Sequence, residues 1–318
     1  MKLLFVADPL ESFQTYKDTT FAMMREAAKR GHTLLATEPR LMRWDSGGPV
    51  RAQTREIRLT GDAHDWFETV TRSDLTLAES DAVLMRKDPP FDSEFFYATH
   101  LLEVAEREGA RVFNKPRALR DHPEKLAILE FAQYISPTLV TREAAQIKAF
   151  HAQHRDIILK PLDGMGGTGI FRVREDGLNL GAITETLNRA GAQTVMVQKF
   201  LPAIKDGDKR LLVIGGVPVP YCLARIPQGT EVRGNLAVGG KGVAQKLSAR
   251  DHEIAAALGP LLNARGLLLM GLDVIGECLT EINVTSPTCF QEITEQTGFD
   301  VAKMFVDALE AALATRSS

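Results

Sequence analysis

Short apolar runs alternate with amphipathic stretches through the first third of the chain. Residues 3–7 read as a buried strand. Asp18-Thr19 opens a helix through Phe21, Ala22, Met23 and Met24 that stops at Gly31, and residues 34–36 return as a strand. Residues 41–60 alternate weakly, as an excursion or a hairpin would. A strand over 82–85 follows, then a helix capped by Asp92 and running to about Gly109, then a strand over 111–113. Strand–helix–strand order predicts a mainly parallel sheet covered by helices, an α/β arrangement.

Near Pro123 the pattern changes. A helix is expected from Pro123 to about Phe131 and another after Thr141, leading into a strand over 157–160. Strands then come in pairs, over 170–173, 195–198, 211–214, 219–224, 272–275 and 279–284. Paired strands with few crossover helices favour antiparallel sheets, so the later part reads as α+β. These shifts place boundaries near 122 and 200, giving segments 1–122, 123–200 and 201–318.

Composition narrows the function classes. The chain of 318 residues has 38 Lys and Arg against 41 Asp and Glu, so it has no basic surplus for a nucleic-acid backbone. Cys222, Cys278 and Cys289 show neither CxxC nor zinc spacing and read as reduced, buried packing thiols of a cytoplasmic protein. No apolar run reaches membrane-spanning length, and the charged start is too short for a signal peptide. Neither nucleic acid nor membrane is expected as a partner.

Two motifs carry chemistry. Gly164-Met165-Gly166-Gly167-Thr168-Gly169 spells GxGxxG, but residues 170–173 after it alternate as a strand rather than opening a helix. The dinucleotide fingerprint therefore fails on context. A glycine flap between antiparallel strands, lying over nucleotide phosphates, fits better, with Lys160 available to neutralise charge; an exposed glycine turn is the bland alternative. His154-Arg155-Asp156 imitates a kinase motif, yet it precedes the glycine loop and Pro161 stands where a kinase needs Asn. His151 and His154 have no further ligands in sight and are not read as a metal site.

The second motif is Asp273, Glu281 and Asn283. Glu281 and Asn283, two apart on an apolar strand, share a face, and Asp273 lies on the preceding strand. Two carboxylates and an amide oxygen suit magnesium completed by phosphates and waters; polar residues on a solvated sheet face are the alternative. A plain two-residue turn at Gly276-Glu277 would pair Asp273 with Thr280 and point its carboxylate away. Asp273 therefore joins the set only through an odd turn or a bulge. Residues 226–241 hold four glycines and no sustained period, and read as a lid that carries Arg233.

Lys160-Pro161-Leu162-Asp163-Gly164-Met165-Gly166-Gly167, Asp206-Gly207-Asp208-Lys209-Arg210, Arg233-Gly234-Asn235-Leu236-Ala237 and Thr280-Glu281-Ile282-Asn283-Val284-Thr285-Ser286-Pro287 resemble the ATP-grasp ligases, and more narrowly the bacterial glutathione synthetases. Arg86-Lys87-Asp88-Pro89-Pro90 and Asn114-Lys115-Pro116 extend the likeness over nearly the whole chain. The resemblance implies an ATP-grasp fold, with an N-terminal parallel-sheet domain, a small lid domain and a C-terminal antiparallel-sheet domain. It also implies an activity: γ-glutamylcysteine, glycine and ATP give glutathione, ADP and phosphate through an acyl phosphate.

Site roles follow from the same likeness. Lys125, Lys160 and the glycines Gly164, Gly166 and Gly167 would hold ATP phosphates, with Asn235 beside the nucleotide. Gln198, Lys199, Phe200 and Leu201 would form the adenine hinge, and Asp208 would meet the ribose. Asp273, Glu281 and Asn283 would bind Mg2+, or Mn2+ in its place. Arg210, Arg225 and Arg233 would hold the transferred phosphoryl group and the oxyanion. Lys17, Asp18, Arg86, Ser286 and Thr288 would contact the dipeptide, although Asp18 also reads as a helix cap, and Lys125 alone as a solvated lysine. A homotetramer is implied. The competing readings are an ATP-grasp ligase with another acceptor and a nucleotide-binding regulator without chemistry.

Overall fold

In the computed structural model, residues 1–229, 231, 233–236 and 239–315 are described. Thr230, Val232, Ala237 and Val238, four positions of the expected lid, lie outside them, as do residues 316–318.

The parallel part of the first sheet is built on β1 (Lys2–Val6), flanked by β2 (Thr33–Thr37) and β6 (Ala82–Met85), with β7 (Val112–Phe113) beyond β6. Antiparallel strands extend the other side: β3 (Met42–Arg43) and β5 (Phe67–Thr76) flank β4 (Arg51–Leu59), which pairs with β2. The weakly alternating stretch is thus a hairpin. Side chains of β1 go alternately to two apolar layers. Leu4 and Val6 pack with Phe95, Ala98 and Leu102 of α2 (Ser93–Arg107); Leu3 and Phe5 pack with Ala22 and Met23 of α1 (Thr19–Lys29). Asp18 and Asp92 cap these helices, accepting from Phe21 N at 2.7 Å and Phe95 N at 2.9 Å.

The second sheet is antiparallel, in the order β10 (Phe171–Val173), β9 (Ile157–Pro161), β11 (Val195–Lys199), β8 (Thr138–Thr141). Ile157, Leu159, Val195 and Val197 face Ile147 of α3 (Ala144–His154) and Leu180, Ile183 and Leu187 of α4 (Leu180–Leu187). By strand parity Ile158, Lys160 and Gln198 point the other way.

The third sheet is antiparallel, in the order β14 (Lys241–Lys246), β13 (Val217–Ile226), β12 (Asp208–Ile214), β15 (Leu269–Ile275), β16 (Cys278–Asn283). Ile254 and Leu258 of α5 (Ala249–Ala264) join Leu211, Val213 and Leu272 on one face. Phe290 of α6 (Phe290–Thr297) and Phe305 of α7 (Val301–Ala314) join Leu212 and Ile214 on the other. These helices are not visible in the strand pairing of the sequence.

The helix expected from Pro123 is replaced by a turn and a 3-10 segment, Ala127–Tyr134, broken at Phe131 (φ −117, ψ 46). The physical reason lies at Glu124, whose backbone carbonyl accepts from Ile282 N at 3.0 Å. That residue's backbone is thereby tied to the third sheet.

Candidate active site

A cavity of about 310 Å3 opens between the polar faces of the second and third sheets. Its walls are set by strand parity. Lys160 projects from β9, while Arg210, Asp273, Glu281 and Asn283 share one face of β12, β15 and β16.

The hairpin β15–β16 meets the parity requirement through a bulge. Its turn is Gly276-Glu277, with Ile275 opposite Cys278 and Val274 opposite Leu279; the register then shifts and Asp273 stands opposite Glu281. Thr280 is the extra residue. Its carbonyl accepts from Lys160 Nζ at 3.2 Å, and its hydroxyl donates to Asp273 O at 3.1 Å. Glu281 and Asp273 therefore face each other, with Asn283 two residues along opposite Gly271.

Asp273 and Glu281 each meet a cation. Asp273 accepts from Nε and Nη2 of Arg210, and its Oδ2 also pairs with Arg225 Nη2 at 2.8 Å. Burial works against the Asp273 charge, but the two guanidiniums outweigh it and hold the carboxyl below the usual range. Arg225 also reaches Asp208 Oδ2 at 2.6 Å, while Asp208 Oδ1 is buried without a partner among the described residues. Burial pushes Asp208 up to about 7, with Asp273 adding to the rise and Arg225 opposing it.

Lys125 is buried rather than solvated. Its Nζ donates to Gly164 O at 2.5 Å and pairs with Glu281 Oε1 at 3.0 Å. Lys160 is buried, and burial brings its ammonium down to about 8 against the pull of Glu281. Both ammonium groups thus sit beside the glycine loop and the hairpin.

The glycine loop joins antiparallel β9 and β10. Gly166 (φ +60) and Gly167 (φ +84) use left-handed backbone that side-chain-bearing residues rarely adopt. A Cβ on Gly167 would stand 2.8 Å from Asn235 Oδ1. Arg233 Nη1 donates to Gly167 O at 3.1 Å, and Arg233 Nη2 pairs with Glu231 at 2.5 Å. The described part of 226–241 therefore touches the flap over the cavity.

Gln198, Lys199, Phe200 and Leu201 also line the cavity. Gln198 Nε2 donates to Thr138 Oγ1 at 3.0 Å, and Lys199 N and Phe200 N donate to Pro137 O and Asp156 O. Arg172 stacks 3.5 Å above the Phe200 ring. Ser286 and Thr288 line the cavity, whereas Lys17, Asp18 and Arg86 lie outside its lining. Arg86 is buried, donating to Thr20 Oγ1 and Pro287 O, each at 3.1 Å, and burial lowers it to about 10.

The donor chemistry fits a divalent cation. Glu281 supplies a carboxylate, and Asn283, whose Nδ2 donates to Gly271 O at 3.4 Å, supplies an amide oxygen. Asp273 completes a hard-oxygen set on the same face, although in this arrangement it serves first as the counter-ion of two arginines. Among the described residues no group of three His, Cys, Asp or Glu side chains is placed to hold a metal ion, so the Asn283 amide is part of this donor set.

Several lining residues escape the sequence reading. Glu124 Oε1 accepts from Val284 N (2.9 Å), Thr285 N (3.0 Å) and Thr285 Oγ1 (2.8 Å), fixing the end of β16. Burial and then Glu281 push its carboxyl up. Its place beside Lys125 was the one available signal. Ser136 has a buried hydroxyl without a partner among the described residues. Cys289, in left-handed backbone at φ +88, also lines the cavity.

Family models match both parts of the chain: the prokaryotic glutathione synthetase N-terminal domain over residues 1–120 and its ATP-grasp domain over 124–298. The protein named glutathione synthetase from Ralstonia nicotianae is 60% identical over 312 residues, covering 98% of this chain and 96% of its own. That from Neisseria meningitidis serogroup B is 56% identical over 315 residues, covering 98% of both. Among solved structures, a D-cycloserine synthetase matches with a TM-score of 0.71 at 16% identity, over 98% of this chain and 100% of that one, which shows the fold alone. With an ATP-grasp architecture and relatives matched from end to end, the chain belongs to the prokaryotic glutathione synthetases.

Proposed function

We propose that this chain joins γ-glutamylcysteine to glycine with ATP, giving glutathione, ADP and phosphate through an acyl phosphate. The supporting observation is the convergence of Lys125, Lys160, Arg210 and Arg225 with the hairpin carboxylates on one cavity. A carboxylate is a poor electrophile, so its activation calls for phosphoryl transfer, which depends on positioning and charge neutralisation. One oxygen of the cysteinyl carboxylate attacks the γ-phosphorus; the bond to the β–γ bridging oxygen breaks and ADP leaves with the electron pair. Glycine's free amine then attacks the acyl carbon. The bond to phosphate breaks, and phosphate departs with the pair while the amine gives up its proton.

In this reading Lys125 and Lys160 bind phosphate oxygens beside the flap. Gln198 to Leu201 hold the base and Asp208 the ribose, while Gly164, Gly166, Gly167 and Asn235 surround the phosphates. Arg210 and Arg225, fixed by Asp273 and Asp208, present preorganised positive charge to the acyl phosphate and the tetrahedral oxyanion. Glu281, Asn283 and Asp273 would hold a divalent cation of the magnesium or manganese class, which when bound neutralises and orients the ATP phosphates. Arg233 brings further charge from the lid, which shields the acyl phosphate from water.

The segments 1–122, 123–200 and 201–318 then divide into dipeptide-binding, nucleotide-covering and catalytic parts. A homotetramer, measurable by sedimentation, and a cytoplasmic setting complete the proposal. ADP release, followed with γ-glutamylcysteine alone, with added glycine and with alanine in its place, tests it. Release coupled to glutathione with glycine is expected. Coupling to alanine instead would favour a different acceptor, and nucleotide binding without turnover would favour a regulator.

A further inference from the structure

Asn283 stands at the end of a ladder. It is the last paired residue of β16, opposite Gly271, and its side chain makes one hydrogen bond among the described residues, from Nδ2 to Gly271 O at 3.4 Å. Main-chain groups beyond a strand end have no ladder partner, and such ends open readily unless something else bonds them. Val284 and Thr285 lie in that position. Glu124 supplies what the ladder does not: its Oε1 accepts from Val284 N at 2.9 Å, Thr285 N at 3.0 Å and Thr285 Oγ1 at 2.8 Å. Its main-chain carbonyl accepts from Ile282 N at 3.0 Å. Both chain neighbours of Asn283 are therefore tied to one residue of a distant segment.

The same segment reaches the other oxygen donor of β16. Lys125, next in the chain, pairs with Glu281 Oε1 at 3.0 Å. From the far side Asn114 Nδ2 donates to Val284 O at 2.9 Å, so the N–H and the carbonyl of Val284 are both held. Bonds to a carboxylate oxygen are charge-assisted, and a neutral amide in its place makes weaker ones. The geometry matters because magnesium demands near-octahedral oxygens at about 2.0–2.1 Å and tolerates little displacement of a donor. A site of this kind works only when its donors are held to within about 0.5 Å by the residues around them.

We propose that Glu124 is a positioning residue for the divalent cation: by clasping residues 282–285 it keeps the Asn283 amide in line with Glu281, so cation affinity depends on a side chain that supplies no ligand atom. The inference rests on the cation assignment within the ligase reading above. It gives a role to the residue that opens the ATP-grasp match at 124 and explains why its main chain leaves the helix expected there.

The test measures Mn2+ binding to the ADP-saturated protein from the spin-resonance signal of free Mn2+, and ADP binding in a chelator by calorimetry. It uses the parent, Glu124→Gln, Thr285→Val, Thr285→Ser and the double variant Glu124→Gln with Thr285→Val. Loss of a residue that orients a metal ligand typically weakens metal binding about 10–100-fold. Glu124→Gln should lie near the lower end, about tenfold, with metal-free ADP affinity within about twofold of the parent's. Thr285→Val should lose a few-fold, and Thr285→Ser, which keeps the hydroxyl, should match the parent. Because the two residues share one clasp, the double variant should bind Mn2+ about as Glu124→Gln does. Parent-like Mn2+ affinity in Glu124→Gln and Thr285→Val, even with a lowered melting temperature, would overturn the proposal and leave Glu124 a purely structural anchor. Losses that multiply in the double variant would overturn it too, since Glu124 would then act by its charge alone. A parent that binds no Mn2+ with ADP would remove the cation assignment and this inference with it, whereas a parent that binds Mn2+ and ADP but forms no glutathione would overturn only the ligase reading.

Discussion

Asp273→Asn separates a charge that anchors arginines from one that only binds ligand. Asp273 and Arg210 are almost fully enclosed, with side-chain exposures of 4% and 7%, and Asp273 is the acid that Arg210 pairs with. Removing one partner of a buried pair costs about 3–5 kcal/mol, because the other charge stays buried. Asparagine keeps the shape and Arg225 keeps Asp208, so a loss near the lower end, about 3 kcal/mol, is expected. Glu281→Gln should behave differently. Its side chain is 21% exposed, and Lys125 retains Gly164 O, so a stability change of about 1 kcal/mol is expected. Both variants should lose most ligation.

Trp44 and Trp66 both lie in the N-terminal part, so fluorescence would miss the third sheet. Regional hydrogen exchange on β12 and β15 reads the effect directly. Protection there should fall about 100-fold in Asp273→Asn, the equivalent of about 3 kcal/mol, and much less in Glu281→Gln. Parent-like protection in Asp273→Asn would refute the counter-ion role. This differs from the expectation that sequence alone supports, in which both carboxylates matter for activity far more than for stability.

The remaining expectations concern the phosphates and their cover. Lys160, brought down to about 8, is protonated below that pH and neutral above it, so ATP affinity should hold to pH 8 and then fall by up to about tenfold per unit. Calorimetry in two buffers should show proton uptake on binding above pH 8, and a flat affinity from pH 7 to 9.5 would contradict the assignment. Gly167→Ala, at φ +84 and with Asn235 2.8 Å from the new Cβ, should cost about 1–2 kcal/mol locally and weaken ATP binding; unchanged calorimetric affinity would show that the flap–lid contact is dispensable. Replacing residues 226–241 by a few glycines should leave ATP affinity near the parent's while raising glycine-independent ADP release. Full coupling in that variant would make the stretch an ordinary surface loop.

Much of the fold was legible because strands and capped helices carry local signals. Leu3 to Val6 alternates between two apolar layers, and Asp18 and Asp92 cap the helices that their spacing announces. The hairpin was legible only as a condition. Parity demanded an odd turn or a bulge, but nothing in Thr280 says that it is the residue pushed out of register. Glu124 was missed for a related reason. It is an ordinary glutamate until tertiary packing removes its water, and the expected helix after Pro123 failed because Glu124 bonds across to β16. Lys125 reads as solvated in isolation and becomes buried only against Gly164 and Glu281.

The central claim is that the cysteinyl carboxylate passes through an acyl phosphate on its way to the peptide bond. The most direct measurement uses γ-glutamylcysteine labelled with oxygen-18 in that carboxylate, with glycine, ATP and magnesium, and mass analysis of the phosphate released. Phosphate carrying one labelled oxygen for each glutathione formed is the expected result. Unlabelled phosphate alongside glutathione would mean that the carboxylate oxygen never bonded to phosphorus, and would contradict the mechanism.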